Sequence, residues 1–137
     1  MPTHPDVVRR RITPDEVQLQ VILGSLLADA EIVGPPGARR LVIVHRADQS
    51  AYARWKHDRL GALAAGPPRV ERGVVRIETI AHPLFDDLAP FFGGRPGGRR
   101  DRGHRPHPRT CREPVLERLR PLGLAIWMSD AGLALSA

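Results

Sequence analysis

Two acidic residues stand near the ends of two similar apolar stretches. Asp29 closes VQLQVILGSLLADAE, residues Val17 to Glu31, and Asp130 lies near the end of LGLAIWMSDAGL, residues Leu122 to Leu133. Both stretches read as short helices with small residues inside them. In the first, Gly24 and Ala28 lie four residues apart and share a face, leaving a shallow groove where a second helix can approach closely. Ala125 and Gly132 are the small residues expected to line the matching seam of the second. A carboxylate in the last turn faces the negative end of the helix dipole, so Asp29 calls for a cation beside it. If the two helices pack side by side, their terminal carboxylates meet at one end of the seam. A divalent metal is the usual way to hold such a pair of like charges.

The elements that must position these acids follow in order. Thr13-Pro14-Asp15-Glu16 spells a helix start, with Thr13 as N-cap, Pro14 at the first helical position and Glu16 completing a capping box. That helix is expected to run from Pro14 to about Asp29. Glu31–Val33 and Arg40–Arg46 are β-branched runs joined by Gly34-Pro35-Pro36-Gly37, a hairpin. In the second strand Leu41, Ile43 and His45 share one face and Val42, Val44 and Arg46 the other, which predicts a central strand. Asp48 to Ala65 is an amphipathic helix with Tyr52, Trp55, Leu60 and Leu63 inward and Arg54, His57, Asp58 and Arg59 outward. Trp55 reads as a core anchor. Gly66-Pro67-Pro68 ends that helix, and a second hairpin, Arg69–Arg72 and Val74–Ala81, turns at Gly73. Here Val75, Ile77 and Thr79 alternate with Arg76, Glu78 and Ile80, the pattern of a sheet with one face on helices and one open. Leu84 to Phe92 is a third helix carrying Leu84, Phe85, Leu88, Phe91 and Phe92 to the core.

The fold class is therefore α+β, an αββαββα order with helices on one face of a four-stranded antiparallel sheet, followed by the second acid-bearing helix packed on the first. Arg69, Arg72 and Arg76 line the open face with Glu78, and Arg39, Arg40 and Arg46 fall near strand ends. Each is either a contact to phosphate or base edges or an ordinary solvated charge.

Composition narrows the partners less than it first suggests. The chain has 137 residues and a net charge of +6, its basic residues being twenty Arg and a single Lys. Nine of the Arg lie between Gly93 and Arg120 against Asp101, Glu113 and Glu117, which is the whole excess. The rest is formally neutral. Gly93–Arg112 reads as a basic linker, an arm for phosphate or merely solvated. His104, His107 and Cys111 within it have zinc-like spacing but no fourth ligand. Met1–Arg11 reads as a loose basic lead-in. Cys111 is alone, which excludes an intrachain disulfide and suits a reducing compartment. No run approaches the length of a membrane span, so the expectation is a cytoplasmic protein with no membrane partner.

At Ile22–Ala30, ILGSLLADA, and Leu124–Gly132, LAIWMSDAG, the sequence resembles the two motifs of the LAGLIDADG homing endonucleases. RLVIVHRADQSAYARWKHDRL and IETIAHPLFDDLAPFF follow the order and spacing of that family, so the resemblance runs from Thr13 to Leu133. It implies a sheet that binds long sites on double-stranded DNA, and metal-assisted phosphodiester hydrolysis with Mg2+. Asp29 falls on the metal-binding acidic position of the first motif. Alignment of the two copies puts Ala131 on that position in the second, with Asp130 one residue early and expected to point away. Asp29 and Asp130 are thus the candidate catalytic and metal-binding residues, with Glu31 behind them, and impaired cleavage is expected. In single-chain members a second sheet would follow the second helix, and here the sequence ends five residues past Gly132. A non-cutting regulator, an RNA maturase and a decayed fragment remain alternatives. RNA and a second copy of the chain join duplex DNA as partners the resemblance allows.

Overall fold

The computed structural model describes residues 12–92 and 113–132. The basic lead-in of residues 1–11, the linker 93–112 with His104, His107 and Cys111, and residues 133–137 lie outside the described residues.

The first helix, α1, spans Glu16–Leu27. Its cap is Asp15, not Thr13: the Asp15 side chain accepts from the Gln18 amide at 2.7 Å while the Gln18 side chain accepts from the Asp15 amide at 2.9 Å. The capping box is shifted two residues, since an Asp followed three later by Gln satisfies the same orphan donors as Thr with Glu. At its other end α1 stops at Leu27, and Asp29 lies in the turn beyond it.

Strands β1 (Glu31–Val33), β2 (Arg40–Arg46), β3 (Arg69–Glu71) and β4 (Val74–Glu78) form one antiparallel sheet in the order β1-β2-β4-β3. β2 is central, as its two apolar faces require. In register, Ile43 faces Ile77 and His45 faces Val75, with Leu41, Ile43, Val75 and Ile77 all buried beneath the helices. Between β2 and β4 run a 3-10 turn at Ala47–Gln49, helix α2 at Ser50–Leu60 and a 3-10 turn at Gly61–Leu63. Helix α3 is only Pro83–Leu88, since Ala89–Phe92 winds on as 3-10. Phe85 and Leu88 are buried.

Helix α4 (Glu113–Arg118) leads into α5 (Pro121–Asp130), the second motif helix, which packs along α1. Gln20, 1% exposed, fastens the joint between α4 and α5. Its amide nitrogen donates to the Arg118 carbonyl at 3.0 Å, and its oxygen accepts from the Arg120 amide at 2.7 Å.

Of the small residues the sequence puts on the α1–α5 seam, Gly24 lies in the contact, and its counterpart on α5 is Gly123. A Cβ placed on Gly24 would lie 2.5 Å from the Gly123 carbonyl oxygen and 2.8 Å from the Ile126 Cβ, so the two backbones are in contact there. Ala125 is exposed, and a Cβ on Gly132 would meet nothing within 4 Å. The face of α5 that meets α1 is Gly123, Ile126 and Asp130, spaced i, i+3, i+7, and Ala125 lies off that stripe. Gly132, at φ +66°, instead ends α5 in the left-handed conformation. Ala28 stands at the C-cap of α1, past the contact.

Gly24→Ala decides whether the backbones can part. Helix propensity favours Ala by about 1 kcal/mol, but a methyl against a carbonyl costs about 1–3 kcal/mol in a packed seam. We expect a net loss of about 1–2 kcal/mol in urea unfolding. Equal or higher stability would mean the helices separate freely.

Candidate functional site

The bases of α1, α2 and α5 converge on a buried polar cluster. On α2, Ala53, Lys56 and Leu60 form the buried face, so the chain's single lysine points into the core. Its side chain is 0% exposed. The ammonium donates to Ser25 Oγ of α1 at 2.9 Å and to Asp130 Oδ2 of α5 at 2.5 Å, and lies 4.8 Å from the centre of the Tyr52 ring. The second oxygen of Asp130 accepts from the Tyr52 hydroxyl at 2.8 Å. His45 reaches in from β2, its ring 5.1 Å from that of Tyr52 and its Nδ1 3.3 Å from Gln49 Oε1. His45 Nε2 is buried without a protein partner.

The direction of Asp130 corrects the expectation. It is the last residue of α5 and sits on the same stripe as Gly123 and Ile126, so it points inward with its side chain 5% exposed. Ala131, one position on, is exposed, as is Asp29 past the end of α1. Asp29 is still near enough to favour the charged forms of both Lys56 and His45.

The opposite face of the sheet is open. Arg40, Val44 and Arg46 of β2, Arg76 and Glu78 of β4, and Arg69 of β3 project from it, Val44 being 45% exposed. Arg76 pairs with Glu78 at 3.1 Å, with Arg40 at 3.9 Å from the same carboxylate. Arg46 pairs with Asp48 at 2.9 Å. Arg39 is turned toward the helical side, 3.9 Å from Asp86. Arg69 and Arg72 have no carboxylate partner among the described residues. Arg72 sits at the β3–β4 tip with φ +48° beside Gly73 at +80°, a two-residue primed turn. A non-glycine residue there costs about 1 kcal/mol. Arg69, Arg76 and Glu78 also line a groove closed by Ala65, Gly66 and Pro67.

Residues 19–137 match the LAGLIDADG DNA endonuclease family. The chain belongs to that family. A solved structure, "The homing endonuclease I-WcaI bound to its DNA recognition sequence", shares the fold with a TM-score of 0.66 at 20% sequence identity, over 95% of this chain. The LAGLIDADG chain spans 60% of the length of I-WcaI. Comparison with curated proteins gave no match.

A divalent cation shared by the two LAGLIDADG acids does not fit these residues. Both oxygens of Asp130 are already bonded, one of them to an ammonium. An ion of charge +2 at Asp130 would have to displace the Lys56 ammonium from its carboxylate or sit beside it against like charge. Among the described residues no group of three His, Cys, Asp or Glu could hold a metal. Lys56 and Ser25 were not singled out from the sequence. The signal available was Lys56 itself, the one exception among twenty-one basic residues, at the i+3 position between Ala53 and Leu60.

Burial pushes the Lys56 ammonium below its usual range, and the Asp130 carboxylate opposes that push. Burial, with the Asp130 hydrogen bond and charge, raises the Tyr52 hydroxyl well above its ordinary value. Burial first, and the Lys56 charge second, lower His45 from 6.5. Because the folded His45 pKa is depressed, the unfolded chain binds the proton more readily, and stability falls as pH drops through 6.5. Thermal unfolding from about pH 7 to about pH 5 should therefore lose stability in the wild type, and lose less in His45→Gln. Parallel curves for the two proteins would mean that His45 stays solvated.

Proposed function

We propose that this LAGLIDADG chain binds double-stranded DNA through the open face of its sheet, with cleavage impaired at the second motif. The observation that carries the reading is the face itself. A twisted antiparallel sheet presents Arg40, Arg46, Arg69 and Arg76 around Glu78, with Arg72 at its tip. Such a set offers both the cations that phosphates need and the mixed donors and acceptors that base edges need. The likeness to a homing endonuclease solved on its DNA site supports the same partner here. The groove of α1 at Gly24 is filled by α5 of the same chain, which favours a monomer over a dimer built on that groove. Duplex RNA is disfavoured because its narrow major groove does not admit a sheet.

Impairment follows from the second motif. Ala131 carries no ligand, and Asp130 is committed to Lys56 and Tyr52. Of the two acids, Asp29 alone is left open to Mg2+, which the family resemblance implies for cutting.

Mobility shifts with random-sequence duplex DNA across a salt series test the binding surface. The wild type should lose affinity steeply with salt. Replacing Arg40, Arg46, Arg69 and Arg76 by Ala should weaken binding and flatten the log–log slope by about 2–4. Retention of the full slope would place the DNA contacts elsewhere. In the same preparations, supercoiled plasmid should stay intact in Mg2+; nicking that disappears in Asp29→Asn would refute the impairment.

A further inference from the structure

Lys56 takes no part in the proposed DNA surface, yet it is among the largest fully buried side chains of the described residues. A lysine is placed at 0% exposure only where its charge is neutralised and its donors are used. Here one donor goes to a hydroxyl and one to a carboxylate, and the remaining side of the ammonium is turned toward an aromatic ring. The groups come from three separate helices: Ser25 from α1, Tyr52 from α2 itself and Asp130 from α5. This is the arrangement of a bound cation with its ligand shell, except that the cation is covalently part of the chain.

We infer that Lys56 is a built-in cation that holds Asp130, the buried acid one residue before the second motif's metal position at Ala131, so that the base of the helix pair is assembled without metal. The sequence posed an electrostatic need, two terminal carboxylates at one end of a seam. The structure meets it by enclosing one carboxylate with an ammonium and leaving the other, Asp29, in solvent. Lys56 is therefore a positioning residue: it fixes the end of α5 against α1 and α2 through Asp130. The converse also holds. Removing the ammonium leaves a buried carboxylate with Asp29 nearby, and that pair has reason to recruit an ion from solution.

The inference rests on the geometry around Asp130 and takes no premise from DNA binding, and its tests use free protein, so a failure to bind DNA leaves it untouched. Thermal unfolding of the full chain is followed in EDTA and in millimolar Mn2+, and bound Mn2+ is counted by electron paramagnetic resonance. The wild-type midpoint should be the same in both solutions, with no bound ion lost on Asp130→Asn. Lys56→Met should melt lower in EDTA and recover by about 4 °C or more in Mn2+. The double variant Lys56→Met, Asp130→Leu removes both charges, so it folds even if the single variant does not, and it should be insensitive to Mn2+. A wild type that binds one Mn2+ through Asp130, or a Lys56→Met that folds and ignores Mn2+, overturns the inference.

Discussion

The closeness of two helix backbones at Gly24 and Gly123 constrains nearly everything else. With no Cβ between Gly24 and the Gly123 carbonyl, α1 and α5 have no side-chain layer to slide on. Their separation and rotation are fixed together, as expected where packed surfaces are bistable and not continuously deformable. Because Gly123, Ile126 and Asp130 share one stripe, fixing the contact at Gly123 also fixes where Asp130 ends. Gln20 completes the constraint from above by holding both sides of the α4–α5 joint.

The polar cluster at the base makes that placement specific. A buried ion pair gains little net stability over apolar side chains of the same volume, because both charges must leave water. What it does is penalise every alternative. If α5 turned by one residue, Ala131 would face Lys56 and the ammonium would be buried without a counter-ion. That penalty is larger than the loss of one apolar contact, so the pair sets the rotation of α5 as the glycines set its distance. Ser25 and Tyr52 then satisfy the donors and acceptors that the pair leaves over.

Much of this was legible in the residues. Both hairpins, the central place of β2 and the inward set Leu41, Ile43 and His45 follow from alternation, which has a strict period of two. The pairing of the two motif helices followed from their likeness. The errors arose where periodicity gives no sign. Capping at Asp15 competed with an equally good pattern at Thr13, and only the fold chooses between them. The direction of Asp130 is not legible in an alignment of the motifs, which compares positions in sequence, whereas orientation depends on where each helix stops. α1 ends at Leu27 and leaves Asp29 in solvent, while α5 stays helical through Asp130. Lys56 is not legible as a core residue because a charged residue on a helix is normally outside.

The period of two also separates the open face of the sheet from the polar cluster beneath it. β2 serves the two sides on alternate residues: Arg40, Val44 and Arg46 face solvent, and His45, between two of them, faces the cluster at Tyr52. Substitutions among Lys56, Asp130 and Ala131 act within α2 and at the end of α5, away from the open face. They do not change the register of β2 on β4, which rests on the buried pairs Ile43–Ile77 and His45–Val75. The exposed face therefore keeps its spacing of cations when the base changes its chemistry. In this architecture the acids and the ammonium at the helices and the cation spacing of the open face can change independently of each other.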